Sequence, residues 1–413
     1  MTPTRVVIAG GGIGGLALAQ GLHRHGVAVT VIEPDTDLAA TGGYKLHLGP
    51  RALAALHRLL PARLEALHAC AMASPDFTLA LRDHRGRLLL RAHEPGEPGA
   101  TSLDVDRVSL RTLLGDGLVG AIRRGRRCLG WTCVDDRVEV ELDDATTIEA
   151  DVLVLADGAG SRLAGRLAGS PTSQPCGLSG IAARTPWGRL PPASRALVRD
   201  EPMLAIGPGG VGLFASLLDP GATTGSRQSG AGPEPVVIWG LVAADAQLPD
   251  RPTDQSPELR QVARALLERR GWADPSTALI EHCTLGTIGS FRFNAADPTR
   301  LAPWPSSRVT ALGDAVHAMP PTGGQGAATA ILDADQLTEA LRSVQADAST
   351  AALAVHRYET RMRGYAAPAV RESVQPLRWI QAASTPLGAG LARIGLPLLA
   401  LGRAAVSAVR TRR

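Results

Sequence analysis

Of the 43 basic residues in this 413-residue chain, Lys45 alone is a lysine; the others are arginines, a bias that reads as codon usage rather than chemistry. Aromatic residues make up 3% of the chain, so a substrate cavity must be walled mostly by aliphatic groups. The five cysteines (Cys70, Cys128, Cys133, Cys176, Cys283) contain no CxxC pair and leave one over, which excludes a disulfide scaffold and fits free thiols in a reducing cytoplasm. A net charge of +4, scattered along the chain, gives no footprint for nucleic acid. Long apolar runs are missing as well. Pro386–Leu401 is the most apolar tract, but it is broken by Arg393 and short for a membrane span, so a packed tail is expected. No signal peptide is expected ahead of the first strand. With 45% hydrophobic and 20% charged residues, the chain reads as a soluble globular protein of about two domains.

What is present starts at Arg5. Arg5–Ala9 is a short apolar run suited to a strand buried on both faces. It leads into Gly10-x-Gly12-x-x-Gly15, with Ile13 and Gly14 between, and then into a helical segment from Leu16 to His25. Gly26 stops that helix, and Val27–Ile32 forms a second strand ending in Glu33. Strand, glycine turn, helix, strand and acid together make the dinucleotide fingerprint. The helix N-terminus offers N–H groups to a pyrophosphate. The Glu33 carboxylate would accept hydrogen bonds from an adenosine ribose and repel a 2′-phosphate. No Arg or Lys follows closely in sequence to reverse that, so FAD or NAD is favoured over NADP at this site.

Further along, Gly42–Leu48 alternates like a strand through Tyr44, Leu46 and Leu48, with Lys45 as a candidate contact to cofactor or substrate. Residues 77–93 read as two strands around a turn at 84–87, and Leu103–Leu114 as a return to a helix. Arg107 lies near the helix start, where it could reach a phosphate or a flavin edge; a solvated surface arginine is the alternative for either Arg107 or Arg111 taken alone. Val152–Ala156 is an apolar strand ending at Asp157, which faces a ligand crevice or caps a turn. Residues 178–283 change texture to several strand-like pieces with loops between them. Gly207–Gly212 also matches GxGxxG, yet six residues separate it from Asp219-Pro220, too few for a crossover helix. A hairpin turn is expected there, and no second nucleotide-binding domain.

Val309–Leu312 then opens a second ligand-facing edge. Gly313-Asp314 is followed by His317, a proline loop from Pro320, Gly323-Gly324-Gln325-Gly326, and a helix from Ala327. Asp314 can accept hydrogen bonds from a ribityl chain, and the positive helix end favours the negative charge of a reduced flavin ring. His317 is expected to bond locally.

Three motifs in order, Gly10–Gly15 with Glu33, Asp157-Gly158, and Gly313-Asp314 with Pro320–Gly326, resemble the class A flavoprotein monooxygenases of the para-hydroxybenzoate hydroxylase type. The chain looks most like the tetracycline-inactivating and natural-product-tailoring members. The resemblance implies an α/β fold: a Rossmann-like FAD-binding domain (1–72, 101–177, 285–345), an inserted mixed β-sheet substrate domain (73–100, 178–284) and C-terminal helices (346–413). It implies FAD contacts at Gly10, Gly12, Ile13, Gly14, Gly15, Glu33, Lys45, Arg107, Asp157, Gly313, Asp314, Pro320, Gly323, Gly324, Gln325, Gly326 and Ala327. Two departures are visible, Ala328 where the family has Asn, and Ala39 or Ala40 in place of a basic residue, for which Lys45 could stand in. Substrate contacts are expected from Met203, Leu213, Trp239, Phe291, Phe293 and Pro321, with no metal. The implied activity is NAD(P)H-driven oxygenation by O2 through a flavin C4a-hydroperoxide, acting on an apolar or aromatic natural product in secondary metabolism or antibiotic modification. A flavin dehydrogenase or reductase without oxygen insertion, and a non-catalytic FAD-binding protein that sequesters a ligand, remain open as alternatives.

Overall fold

The structure is a computed structural model that describes residues 4–39, 42, 44–74, 76–94, 101–221, 234–248 and 257–383. The expected tail at 386–401, Ala40, Gly43 and most of the Asp219–Pro235 loop lie outside the described residues.

Strand β1 (Arg5–Ala9), helix α1 (Ile13–Arg24) and strand β2 (Ala28–Glu33) form the expected βαβ unit. β3 (Lys45–Leu48), α2 (Pro50–Leu59), α3 (Leu64–Ala69) and β4 (Ala71–Ala73) follow. Next come the hairpin of β5 (Phe77–Asp83) and β6 (Leu88–Glu94), then β7 (Leu103–Asp106) and α4 (Arg107–Gly115). A run of strands, β8 (Ile122–Arg124), β9 (Cys128–Val134), β10 (Arg137–Leu142), β11 (Thr147–Ala150) and β12 (Val152–Leu155), ends at α5 (Arg162–Ala168). The middle of the chain holds β13 (Gln174–Pro186), α6 (Pro192–Val198), β14 (Met203–Ile206), β15 (Gly212–Leu218), β16 (Val236–Ala244), α7 (Pro257–Arg269), α8 (Asp274–Glu281) and β17 (Gly289–Ala295). It finishes with β18 (Val309–Ala311), α9 (Asp314–His317), α10 (Gly326–Gln345) and α11 (Ala351–Ala383).

A five-stranded parallel sheet in the order β18-β12-β1-β2-β8 is the base of the molecule. All four residues of β12 and Val6–Ala9 of β1 are buried, as a parallel sheet covered on both faces requires. α1 packs on α10, with Leu16, Leu18 and Leu22 in one core with Ile331, Leu337 and Leu341.

A small antiparallel sheet, β3-β7-β4, stands beside this base. Here the structure corrects one expectation. Leu103–Asp106 is a strand, and the helix starts only at Arg107. Leu103 and Val105 join the core while Asp104 and Asp106 alternate with them, a period of two that a helix cannot satisfy. Asp106 then caps α4, its carboxylate accepting from the Ser109 N–H at 3.0 Å.

The third major layer is a mixed seven-stranded sheet, β17-β13-β16-β15-β14-β5-β6, in which only the β14–β5 pair is parallel. Gly207–Gly212 forms the turn of the β14–β15 hairpin, as expected. One face of this sheet packs on α6, α7 and α8, of which α6 and α8 were not legible among the loops. That face carries Met203, Leu213 and Trp239, all without exposed surface. They therefore belong to the core and not to a substrate site. Trp239 donates its indole N–H to Thr185 Oγ1 at 3.0 Å within the same core.

Trp239→Ala is expected to lower the unfolding free energy by about 3–5 kcal/mol in urea titration. A tryptophan reserved for substrate would instead leave stability unchanged and alter KM.

Candidate functional site

At the carboxyl end of β1, Gly10 has φ of 122°, and a Cβ there would run into the Ala156 carbonyl. A Cβ at Gly15 would likewise meet the Gly10 carbonyl, so both positions need the missing side chain. Gly12 caps α1 without any side-chain cap, and a Cβ on it would meet no atom within 4 Å. The first N–H groups of α1 thus open onto free space, which suits a phosphate. Ile13 and Gly14 are buried, Gly14 against Leu312, and bring backbone rather than side chains to the turn.

Glu33 is 5% exposed and already engaged. Its Oε2 accepts from the Gly11 N–H at 2.7 Å and its Oε1 from the Asp35 N–H at 2.8 Å. Arg111 Nη2 lies 3.1 Å from Oε2. The same guanidinium donates to Gly11 O at 2.9 Å, Asp35 Oδ2 at 2.8 Å and Leu38 O at 3.2 Å. Arg111 is thus no surface arginine, and a cation does stand beside Glu33, supplied from α4. Helical spacing from Arg107 was the available signal, since Arg111 is one turn further on.

The second edge lies two strands away in the same sheet, at the carboxyl end of β18. Gly313 adopts φ of 62° and sends the chain into Asp314. The Gly313 N–H donates to Asp333 Oδ2 at 2.8 Å, His317 Nε2 lies 2.6 Å from the same oxygen, and Tyr365 donates to Oδ1 at 2.7 Å. His317 is wholly buried. Burial disfavours its charged form, but the Asp333 carboxylate overrides that and raises its pKa above the ordinary value. It is a local brace, as expected. Asp314 differs: its carboxylate accepts no hydrogen bond among the described residues, and burial raises its pKa against the pull of His317 and Arg107. Arg107 reaches Gly42 O at 3.3 Å and lies 5.3 Å from the centre of the Tyr44 ring. Arg107, Tyr44 and Asp314 therefore meet.

The loop from Pro320 is pinned to α11. Thr322 Oγ1 donates to Ser373 O at 2.7 Å, and Gln325 Nε2 to Glu372 Oε2 at 2.8 Å. Pro321, Gly323 and Gly324 are exposed along it, and α10 starts at Gly326 and Ala327 with no side chain capping it. Asp157 accepts from Ser161 Oγ, the capping residue of α5, at 2.6 Å beside the Gly10 turn. Two uncapped helix ends and an acid without a partner, on one edge of one sheet, fit a dinucleotide that carries a ribityl chain.

The small sheet faces the seven-stranded sheet, and the space over Gly240, where a Cβ would meet no atom within 4 Å, marks a cleft with a polar roof between them. On β3 and β7, Lys45 pairs across from Asp106 and His47 from Asp104, all four on one face. Lys45 Nζ is 2.6 Å from Asp104 Oδ2 and His47 Nδ1 2.9 Å from Oδ1. Burial would raise the Asp104 pKa, but hydrogen bonds from His47 and Lys45 hold it below the ordinary value. Across the cleft, Arg184 of β13 lies 3.0 Å from Asp106 Oδ2, while Asp106 Oδ1 has no partner. The floor is the face of the large sheet opposite Trp239: Phe214 pairs with Gly240, and Gly180 with Phe291. Phe291 contacts Tyr44 at 6.2 Å and stacks on Phe293 at 5.5 Å. Phe293 is 1% exposed and backs Phe291 from beneath α11 rather than facing the cleft. Arg184, Phe214, Gly240, Tyr44 and His47 were missed by sequence reasoning. The alternation of each strand about its most apolar residues was the signal, read with the wrong parity. A separate cavity of about 630 Å³ lies at the amino ends of β1 and β2, lined by Arg5, His23 and Arg123 among others, away from both glycine motifs.

Comparison with known proteins gives matches to two families, FAD binding domain over residues 121–373 and pyridine nucleotide-disulphide oxidoreductase over residues 4–184. The chain is 29% identical over 379 residues to a dual O-methyltransferase/FAD-dependent monooxygenase of Phaeosphaeria nodorum, covering 83% of this chain and 40% of that protein. It thus spans less than half of that relative. It is 27% identical over 368 residues to 6-hydroxynicotinate 3-monooxygenase of Pseudomonas fluorescens, covering 85% of this chain and 86% of that protein. The fold is similar to that of HpxO of Klebsiella pneumoniae complexed with FAD and uric acid, with a TM-score of 0.72, 20% identity and coverage of 95% and 92% of the two chains.

Arg111→Ala would leave the Glu33 carboxylate buried with its cation gone. A loss of about 3–5 kcal/mol in unfolding free energy is expected. A surface arginine would cost under about 0.5 kcal/mol in the same urea titration.

Proposed function

The chain belongs to the FAD binding domain family and is a class A flavoprotein monooxygenase, and from that premise we propose that it uses NAD(P)H and O2 to hydroxylate or epoxidise a sizeable apolar or aromatic small molecule. The observation that carries this reading is the meeting of two open edges on one sheet, α1 with its uncapped N-terminus and Asp314 with its unpartnered carboxylate. When bound, FAD supplies the redox ring that takes electrons from the nicotinamide and activates oxygen.

The rest falls to the chain's own residues. Backbone N–H groups from Gly12 onward would hold the pyrophosphate, Glu33 the adenine ribose, Asp314 the ribityl hydroxyls and Arg107 a further polar edge of FAD. The positive end of α10 favours negative charge at its N-terminus. Asp333, through Gly313 N–H and His317, keeps that edge in place. The Pro320–Gly324 loop and the floor at Phe214, Gly240 and Phe291 would position the substrate and keep water out. Arg184, steered by Asp106, and Lys45, steered by Asp104, put cations on the cleft, so the substrate should carry oxygen as well as apolar surface. A relative named for 6-hydroxynicotinate, a small oxygenated ring compound, supports that class. The same reading makes the substrate a natural product of secondary metabolism or an antibiotic, and the enzyme cytoplasmic.

The purified protein is expected to show flavin absorption bands and to release FAD on denaturation. A substrate screen should then find a compound that accelerates NAD(P)H oxidation with one O2 consumed per NAD(P)H and one oxygen atom gained by the product. Electron transfer from that compound without oxygen uptake would point to a dehydrogenase, and a protein that takes up no FAD would sink the reading.

A further inference from the structure

Lys45 stands out chemically as well as in composition. Its side chain is 11% exposed, and its one hydrogen-bond partner among the described residues is Asp104, at 2.6 Å. An ammonium group has three donors. One is satisfied, and leaving the others in a part-buried cleft is costly unless an acceptor arrives. Asp106, its cross-strand neighbour, is turned to Arg184 and Ser109 through Oδ2 and makes no hydrogen bond to Nζ. Nζ also lies 5.9 Å from the centre of the Phe214 ring. Next to Phe214 in register is Gly240, where a Cβ would meet no atom within 4 Å. A cation, an aromatic face and a stretch of floor without a side chain thus adjoin one another.

We infer that Lys45 is the specificity-determining group of the cleft: it selects flat aromatic substrates that bear an ionised oxygen, a phenolate, enolate or carboxylate, and lie on Phe214 over Gly240. This deepens the reading above and rests on it for the location of the substrate. Asp104 positions the ammonium, and its second oxygen is occupied by His47, so the carboxylate cannot swing away to release the lysine. Arginine at this position would keep the charge, methionine would keep most of the volume and lose it.

The test uses a matched pair of probes, 2-naphthoate and the neutral 2-naphthamide, titrated by calorimetry into FAD-loaded wild type, K45M and K45R. Wild type should prefer the carboxylate by about tenfold or more, the scale of one hydrogen bond between charged groups. K45M should bind the two probes within about twofold of each other, and K45R should keep most of the preference. Equal binding by wild type, or an undiminished preference in K45M, would overturn the assignment. A second measurement needs no variant. Because the chain has a single lysine, reductive methylation followed by mass spectrometry reads Lys45 apart from the α-amino group. 2-Naphthoate should slow that modification and 2-naphthamide should not; equal rates with the two probes would overturn the assignment independently. A wild-type protein that takes up no FAD would count against the monooxygenase reading, while the methylation result would still decide the role of Lys45.

Discussion

From the second turn of α4, the guanidinium of Arg111 reaches Gly11, Glu33, Asp35 and the backbone at Leu38, and so ties the glycine turn, the end of β2 and the following loop to one point. Without it, Glu33 would be a buried charge at 5% exposure, and such a charge is tolerated only when paired and hydrogen-bonded. The shape of this glycine-turn edge therefore depends on a residue 78 positions beyond Glu33. Glu33 itself is committed to holding the turn, and on the proposed reading an incoming ribose would share the carboxylate with Gly11 and Arg111.

The edge at Gly313 uses the same device, a buried carboxylate saturated by donors from distant segments. Asp333 is fully buried on α10, and its two oxygens take the Gly313 N–H, His317 and Tyr365. Gly313 is held at a φ of 62°, and Asp314 beside it accepts no hydrogen bond among the described residues. One carboxylate is saturated so that its neighbour can stay available. Asp104 and Asp106 repeat the pattern in the cleft, each holding a basic side chain that carries further donors.

Much of this architecture was legible from local pattern. The parallel strands are short and apolar throughout, the first glycine turn is framed by strand, helix and acid, and Gly313-Asp314 sits at the end of another such strand. These signals are local because backbone conformation at a glycine turn and burial of a strand on both faces are set by residues close in sequence. The false second glycine motif was equally legible, since no helix fits between Gly212 and Pro220.

Pairing between distant elements was not legible. Met203, Leu213 and Trp239 were expected to meet a substrate because they are large and apolar, but a strand in a covered sheet is apolar on both sides, and only packing against α6, α7 and α8 decides which side is core. Arg107 and Arg111 are equivalent by composition, yet one meets Tyr44 and the other Glu33. Lys45 read as a contact to cofactor or substrate, and only register with β7 set it beside Asp104 and over Phe214. The sequence by itself determined the βαβ unit, the two glycine turns at the carboxyl ends of β1 and β18 and the family. Tertiary structure decided which charges are paired and which face of the sheet is open, because both depend on contacts between segments that alternation and spacing within one segment do not encode.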